Sequence, residues 1–272
     1  MTLPALPAYL DGLIAAYRAG HAGRDVHLGY WDRPPGPAEP WAPGEFEAAQ
    51  ARLTERMTGC ATLRPGQRVL DVACGLGGTL AAIAAYIPGT ELIGLNIDRR
   101  QLALCCGIAP PPGGSLVLVE GDACALPFDA AAFDHVFCIE AMFHFRSRRL
   151  FLAESARLLR WGGTLVISDI LLREPGAAAP WDGATMATAI RRDYGPWPEL
   201  WVEAADLQRW AAAEGLELAS SQDWTAQTLP SYRTVAPDDA SDLRRHPDAG
   251  SVLRWLHTHG WLTYQILVLR RR

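Results

Sequence analysis

From about residue 64 onward, short apolar runs alternate with amphipathic stretches. RVLDVA (68–73), ELIGLN (91–96), SLVLVE (115–120), FDHVFCI (133–139) and TLVISDI (164–170) are each bounded by turn residues. Each reads as a strand buried on both faces. The stretches 78–87, 99–107 and 147–159 lie between them and read as helices. Strands alternating with helices predict an α/β fold, a doubly wound Rossmann-like sheet. A helix at 202–214, a strand at 216–223 and a final strand, LTYQILVL, bring the strand count to seven.

Outside this series the pattern is looser. Residues 5–19 predict a helix with Leu6, Leu10, Leu13, Ile14 and Tyr17 on one side. The Pro-rich stretch 33–44 predicts a loop, and 45–59 a second helix closed by glycine. Residues 174–201 are rich in Pro and Trp, and 226–260 is irregular or helical. Segments 1–60, 174–200 and 226–260 are therefore candidates for a substrate cap. The chain divides into an N-terminal helical cap segment (1–60), a core (61–172) and a part that completes the sheet with cap insertions (173–272).

Composition narrows the function classes. The chain of 272 residues is 49% hydrophobic and 20% charged, as a globular enzyme should be. A net charge of −5 gives no footprint for nucleic acid or an anionic membrane. The six Cys form no CxxC pair, which argues against zinc and against a disulfide framework; buried thiols in a reducing compartment are expected. The opening MTLPALPAYLDGLIAAYR has no basic region ahead of its apolar stretch, and no apolar run reaches the ~20 residues of a membrane span. A cytoplasmic protein with no bound metal is expected.

The candidate chemistry starts in VLDVACGLGGT (69–79). After Asp71, the glycines Gly75, Gly77 and Gly78 allow a tight turn and close backbone approach to a ligand at the next helix N-terminus. The glycine register does not fit the dinucleotide pattern GxGxxG, which disfavours a dehydrogenase. Further segments follow in order: GLNIDRRQL (94–102), GDACALPF (121–128), FDHVFCIEAMFHF (133–145) and LLRWGGTLVISDIL (158–171). With HLGYWD (27–32), this series resembles the small-molecule branch of the class I S-adenosylmethionine-dependent methyltransferases over residues 25 to 172. It is most similar to the sugar O-methyltransferases of the rebeccamycin type.

The resemblance implies a mostly parallel sheet with an antiparallel last strand, and S-adenosylmethionine as cofactor. It implies that Asp71 and the backbone at Ala73, Gly75 and Gly77 meet the methionine end. Ala73 stands where the family motif has its first glycine, a departure read as mild because later glycines make the turn. Asn96, where a ribose carboxylate is usual, with Ile97 and Gln101, would meet the ribose, ahead of Asp98. Asp122 and Ala123 would meet the adenine, with Ile139 beside the cofactor and Tyr30 closing over it. Each position has a duller reading: a helix cap for Asp71, solvated residues for Asn96 and Gln101, a turn for Asp122 and arm packing for Tyr30.

His144 follows the fourth strand and Asp169 ends the fifth, at strand ends where open α/β sheets bind ligands. By resemblance His144 is the general base for an acceptor hydroxyl, with Asp169 orienting it or sharing the role. The alternatives are an imidazole that only packs in an aromatic turn, and an Asp169 that caps or anchors. The partner expected is a small-molecule acceptor, methylated on O, with C- or N-methylation or mere cofactor binding as alternatives. Trp181, Trp197, Trp201, Trp224, Trp255 and Trp261 follow the fifth strand; they pack the cap or line a pocket, and amphipathic helices there could form a homodimer surface.

Overall fold

The computed structural model describes residues 6–34, 41–173, 182–235 and 248–272. The strands are β1 (Arg68–Val72), β2 (Glu91–Asn96), β3 (Ser115–Glu120), β4 (Phe133–Ile139), β5 (Leu159–Leu172), β6 (Leu216–Asp223) and β7 (Leu262–Arg271). They form one seven-stranded sheet in the order β3-β2-β1-β4-β5-β7-β6. Strands β1 to β5 pair in parallel, and β7 runs antiparallel to both β5 and β6. The helices are α1 (Tyr9–Arg18), α2 (Glu45–Gly59), α3 (Gly78–Tyr86), α4 (Arg99–Cys105), α5 (Arg148–Leu158), α6 (Gly183–Tyr194) and α7 (Ala204–Ala213). The single turns α8 (Thr225–Thr228) and α9 (Tyr232–Val235) precede α10 (Ala249–Thr258).

Continuous apolar runs form these strands because both sheet faces are covered. On one face Val69, Phe137 and Val166 pack in one cluster with Leu53 and Met57 of α2 and Ile190 of α6. On the other, Leu70, Val136 and Leu165 cluster with Phe151 and Leu152 of α5 and Leu207 of α7. The strand order reverses between β1 and β4. Crossovers leave that point in opposite directions, which opens a crevice beyond the carboxyl ends of the two strands.

Helix α6 lies within the stretch expected to be irregular. Asp182 starts it, with Oδ1 accepting from the amides of Ala184 (3.0 Å) and Thr185 (3.4 Å), and Met186, Ala187 and Ile190 are buried. Strand β5 begins five residues before the expected Thr164: Leu159 already pairs with Phe133, ahead of a register shift. Parts of the expected loop and cap segments (35–40, 174–181 and 236–247), with Trp181, lie outside the described residues. Among the described residues no helix is long and apolar enough to cross a membrane.

Candidate active site

The crevice is a cavity of about 240 Å³ above β1 and β4. Its floor is the loop after β1. Ala73, Gly75 and Gly77 have φ of 59°, 55° and 84°, so the chain is left-handed at every second residue. This turn lifts the backbone toward the cavity and aims the first amides of α3 at it. The neighbours leave little room for side chains. A Cβ at Gly75 would sit 3.1 Å from Val26, and one at Gly78 would collide with the Asp25 carboxylate. The arm Arg24–His27 therefore lies across the loop and forms a cavity wall with it.

Ala73 is the costly residue of this turn. A left-handed residue with a Cβ is disfavoured by ~1–2 kcal/mol, so the departure from glycine is not mild. Ala73→Gly should raise stability by ~0.5–1 kcal/mol after the unfolded-state entropy of glycine is subtracted. Thermal unfolding checks this, and a lower melting temperature in the variant would contradict it.

Most of the expected cofactor residues come together. Asp71, Ala73, Gly75, Asn96, Ile97, Gln101, Asp122, Ala123 and Ile139 all line the cavity. Asp71 is buried at the end of β1, and burial pushes its pKa well above the usual carboxylate range. A carboxyl group so placed favours a cationic partner such as an α-ammonium group. Asn96 Nδ2 donates to Gln101 Oε1 at 2.7 Å and its Oδ1 accepts from the Asp98 amide at 3.2 Å, which fixes both amides on the wall. Asp98 turns away: it caps α4 by accepting from the Arg100 amide at 2.9 Å and pairs with the Arg100 guanidinium. Asp122 accepts from the Cys124 amide (2.8 Å) through Oδ1 and from Arg146 Nε (3.3 Å) through Oδ2.

Three expected residues lie elsewhere. Gly77 is off the wall; a Cβ there would collide with Ile108, so its glycine serves the packing of α4's end against the loop. Tyr30 packs edge-on against Trp224 at 5.0 Å and carries the Arg56 guanidinium over its ring at 4.2 Å, so the arm reaches the cavity through Asp25, Val26 and His27 instead. Asp169 is fully buried beneath the site. It pairs with Arg148, Nε to Oδ2 at 2.8 Å and Nη2 to Oδ1 at 3.2 Å, and makes no hydrogen bond to His144.

His144 does line the cavity, at the end of a 3₁₀ turn, Met142–His144, after β4. Its partners are two that the sequence pattern did not indicate. Nδ1 donates to the Pro196 carbonyl at 2.9 Å, and Nε2 accepts from the Tyr9 hydroxyl of α1 at 3.2 Å. A carbonyl has no proton to give, so Nδ1 carries the hydrogen and Nε2 keeps its lone pair. Burial pushes the imidazolium pKa from 6.5 down to about 4, with the Arg148 charge adding to it against the Pro196 hydrogen bond. Burial likewise raises the Tyr9 hydroxyl above its usual 10.0, so at neutral pH a neutral phenol faces a neutral imidazole.

Glu140 is a further polar wall residue that the sequence did not reveal. It has φ of 47°, and its Oε1 accepts from the Leu28 amide (2.8 Å) and the Tyr264 hydroxyl (2.7 Å). Around it the wall is apolar: Leu6, Pro7, Leu10, Leu13, Phe145 and Pro198. None of the described tryptophans lines the cavity. Trp197 is stacked on Phe143 at 4.2 Å, Trp224 lies in the core and Trp255 stacks on His259, which settles them as packing residues.

The donor set suits S-adenosylmethionine: carboxylates at Asp71 for the ammonium group and at Asp122 for an exocyclic amine, fixed amides at Asn96 and Gln101 for a diol, and a glycine cradle between them. Residues 70–167 match a family described as a methyltransferase domain. The chain is 30% identical over 216 residues to 27-O-demethylrifamycin SV methyltransferase of Amycolatopsis mediterranei, covering 79% of this chain and 74% of that one. It is 33% identical over 220 residues to the methyltransferase GfsG of Streptomyces halstedii, covering 78% and 73%. The crystal structure of the [4+2]-cyclase SpnF superposes with a TM-score of 0.72 at 21% identity, over 98% of this chain and 99% of that one, a likeness of fold. Glycine loop, wall and sequence relatives agree: the chain belongs to the class I S-adenosylmethionine-dependent methyltransferases that act on small molecules.

Proposed function

We propose that the protein methylates a hydroxyl group of a mostly apolar small molecule, of the kind made in natural-product biosynthesis, with His144 as the general base. The observation that carries this reading is the Tyr9 hydroxyl held 3.2 Å from the lone pair of His144 Nε2 on the cavity wall. The site already holds one hydroxyl against a neutral imidazole, and an acceptor hydroxyl can take the same place. One of the two sequence relatives supports it, being named for a 27-O-demethyl compound.

When bound, S-adenosylmethionine supplies an electrophilic methyl group for in-line displacement. The chain's own part is to orient and to move a proton. Nε2 takes the hydroxyl proton as the oxygen attacks, while Nδ1–H stays on the Pro196 carbonyl and keeps the ring from turning. Leu6, Leu10, Leu13 and the Phe145 ring give the acceptor an apolar wall, with the His144 imidazole and the Tyr9 hydroxyl as the polar groups beside it. Asp71, Gln101 and Asp122 hold the cofactor's polar ends, which fixes the direction of attack.

A ¹³C-methyl label from the cofactor should appear in product as an O-methyl group; an N- or C-linked label overturns the reading. The pH profile is a second check. A base works only unprotonated, and in the folded enzyme His144 protonates near pH 4. The acid limb of kcat/KM should therefore lie near pH 4, well below the 6.5 of a free imidazole.

A further inference from the structure

His144 and Arg148 stand four residues apart across the start of α5, and both reach the same short segment. His144 Nδ1 donates to the carbonyl of Pro196 at 2.9 Å. The Arg148 guanidinium donates to the carbonyl of Glu199. Glu199 answers with its side chain: Oε2 accepts from the Arg148 backbone amide at 2.9 Å. That amide is the first of α5 and has no partner within the helix, so the carboxylate caps the helix from outside it. The segment 196–199 is a stiff strap. Pro196 and Pro198 fix two φ angles, and Trp197 between them is stacked on Phe143, beside His144. Asp169 completes the attachment from below by neutralising Arg148.

We propose that Glu199 is a positioning residue for His144: by docking the 196–199 strap on the first turn of α5, it holds the Pro196 carbonyl against Nδ1 and so keeps Nε2 as the unprotonated atom facing the cavity. This rests on the reading of His144 as the base and gives that reading its missing orienting group, the role expected of Asp169. Asp169 acts two contacts away, through Arg148. The strap also buries the ring. The titratable groups around His144 are Tyr9 from α1, Arg148 from α5, Glu140 and Arg146 on the cavity wall before and after its turn, and Tyr194, which meets Tyr9 edge-on from the end of α6. None is an anion paired with the imidazole, so dryness dominates its titration. Loss of the strap hydrates the ring, which raises its pKa, and removes the Pro196 carbonyl, which lowers it; burial is the larger influence, so the net change is a rise.

The test is ¹⁵N-histidine NMR of the full chain, with the His144 signals assigned by their loss in His144→Asn. In the wild type His144 should show one tautomer, with hydrogen on Nδ1, and titrate near pH 4. In Glu199→Ala the tautomers should mix and the midpoint should rise toward 6.5 by about one unit or more. Glu199→Gln can still accept from the Arg148 amide and should restore most of the wild-type titration. Methyl transfer by Glu199→Ala should lose about tenfold in kcat with little change in KM. A folded Glu199→Ala with wild-type titration and tautomer overturns the proposal. If that variant does not fold, Glu199→Asp is read the same way: its shorter arm should give an intermediate shift, and no shift overturns the proposal. If the ring responds but His144→Asn keeps its turnover, it is the base assignment that fails, and the positioning role stands.

Discussion

His144→Asn should lower kcat by ~10²–10⁴-fold while the affinity for S-adenosylhomocysteine stays within about twofold of wild type. Asparagine is the informative replacement. Its Nδ2 reaches about where the histidine Nδ1 lies, so it can still donate to the Pro196 carbonyl that takes the ring hydrogen at 2.9 Å. The strap keeps its anchor, and only the lone pair of Nε2 is removed. No residue among the cofactor contacts bonds to the ring: its hydrogen-bond partners are Tyr9 and Pro196, on the acceptor side. Calorimetry gives the affinity and single-turnover kinetics the rate. A parallel fall in both would make His144 a structural residue, and unchanged turnover would pass the proton to another group.

The frame of this site was legible because it depends on local pattern. Apolar runs between turn residues marked β1 to β5, and in VLDVACGLGGT Gly75 and Gly77 sit where the backbone is left-handed while Gly78 makes room for Asp25. Most of the residues expected to meet the cofactor share one wall, since they lie at or just beyond the carboxyl ends of β1 to β4. What escaped notice depends on packing between distant segments. Tyr9 meets His144 across 135 positions, and Arg148 meets Glu199 across 51. No periodicity in either segment records such a meeting. Asp169 escaped for the same reason: it lies three residues inside β5, which runs on to Leu172, and its carboxylate is buried against Arg148, off the cavity wall. Tyr30 was misjudged by direction, because its arm shows the cavity Asp25 to His27 and turns the tyrosine back on Trp224. Ala73 was misjudged by conformation, since a sequence gives the residue and not the sign of φ. Helix α6 was hidden by flanking prolines, although Asp182 ahead of Met186, Ala187 and Ile190 is a readable start.

Arg148→Met should be the most destabilising of these substitutions, at about 3–5 kcal/mol. Arg148 and Asp169 are both buried, with side chains 1% and 0% exposed. Removing the cation leaves a carboxylate with only the Ile170 amide at 2.9 Å to stabilise its charge. A loss of this size is a large fraction of the ~5–15 kcal/mol that holds a typical domain folded. Urea unfolding at several pH values makes the cause identifiable. In the wild type burial raises the Asp169 pKa above its usual 3.8 despite Arg148, and without Arg148 it rises further. Between the unfolded and folded values the folded state then binds more protons than the unfolded one, so stability falls as pH rises. The deficit of Arg148→Met, taken against wild type at each pH, should shrink on acidification from neutral pH as Asp169 protonates. His144 and His257, both with pKa lowered to about 4, work in the opposite sense. They favour protonation of the unfolded state and cost stability below 6.5; His257 does so in both proteins and cancels in the difference, whereas the Arg148 charge lowers the His144 pKa, so its loss eases that cost and adds to the shrinkage. Removing both charges in Arg148→Met/Asp169→Leu should recover most of the loss and abolish the part of its pH dependence that Asp169 causes. A deficit that is the same at every pH, or that persists in the double variant, would mean that Arg148 matters for its contacts to Glu199 and the strap and not for the buried pair.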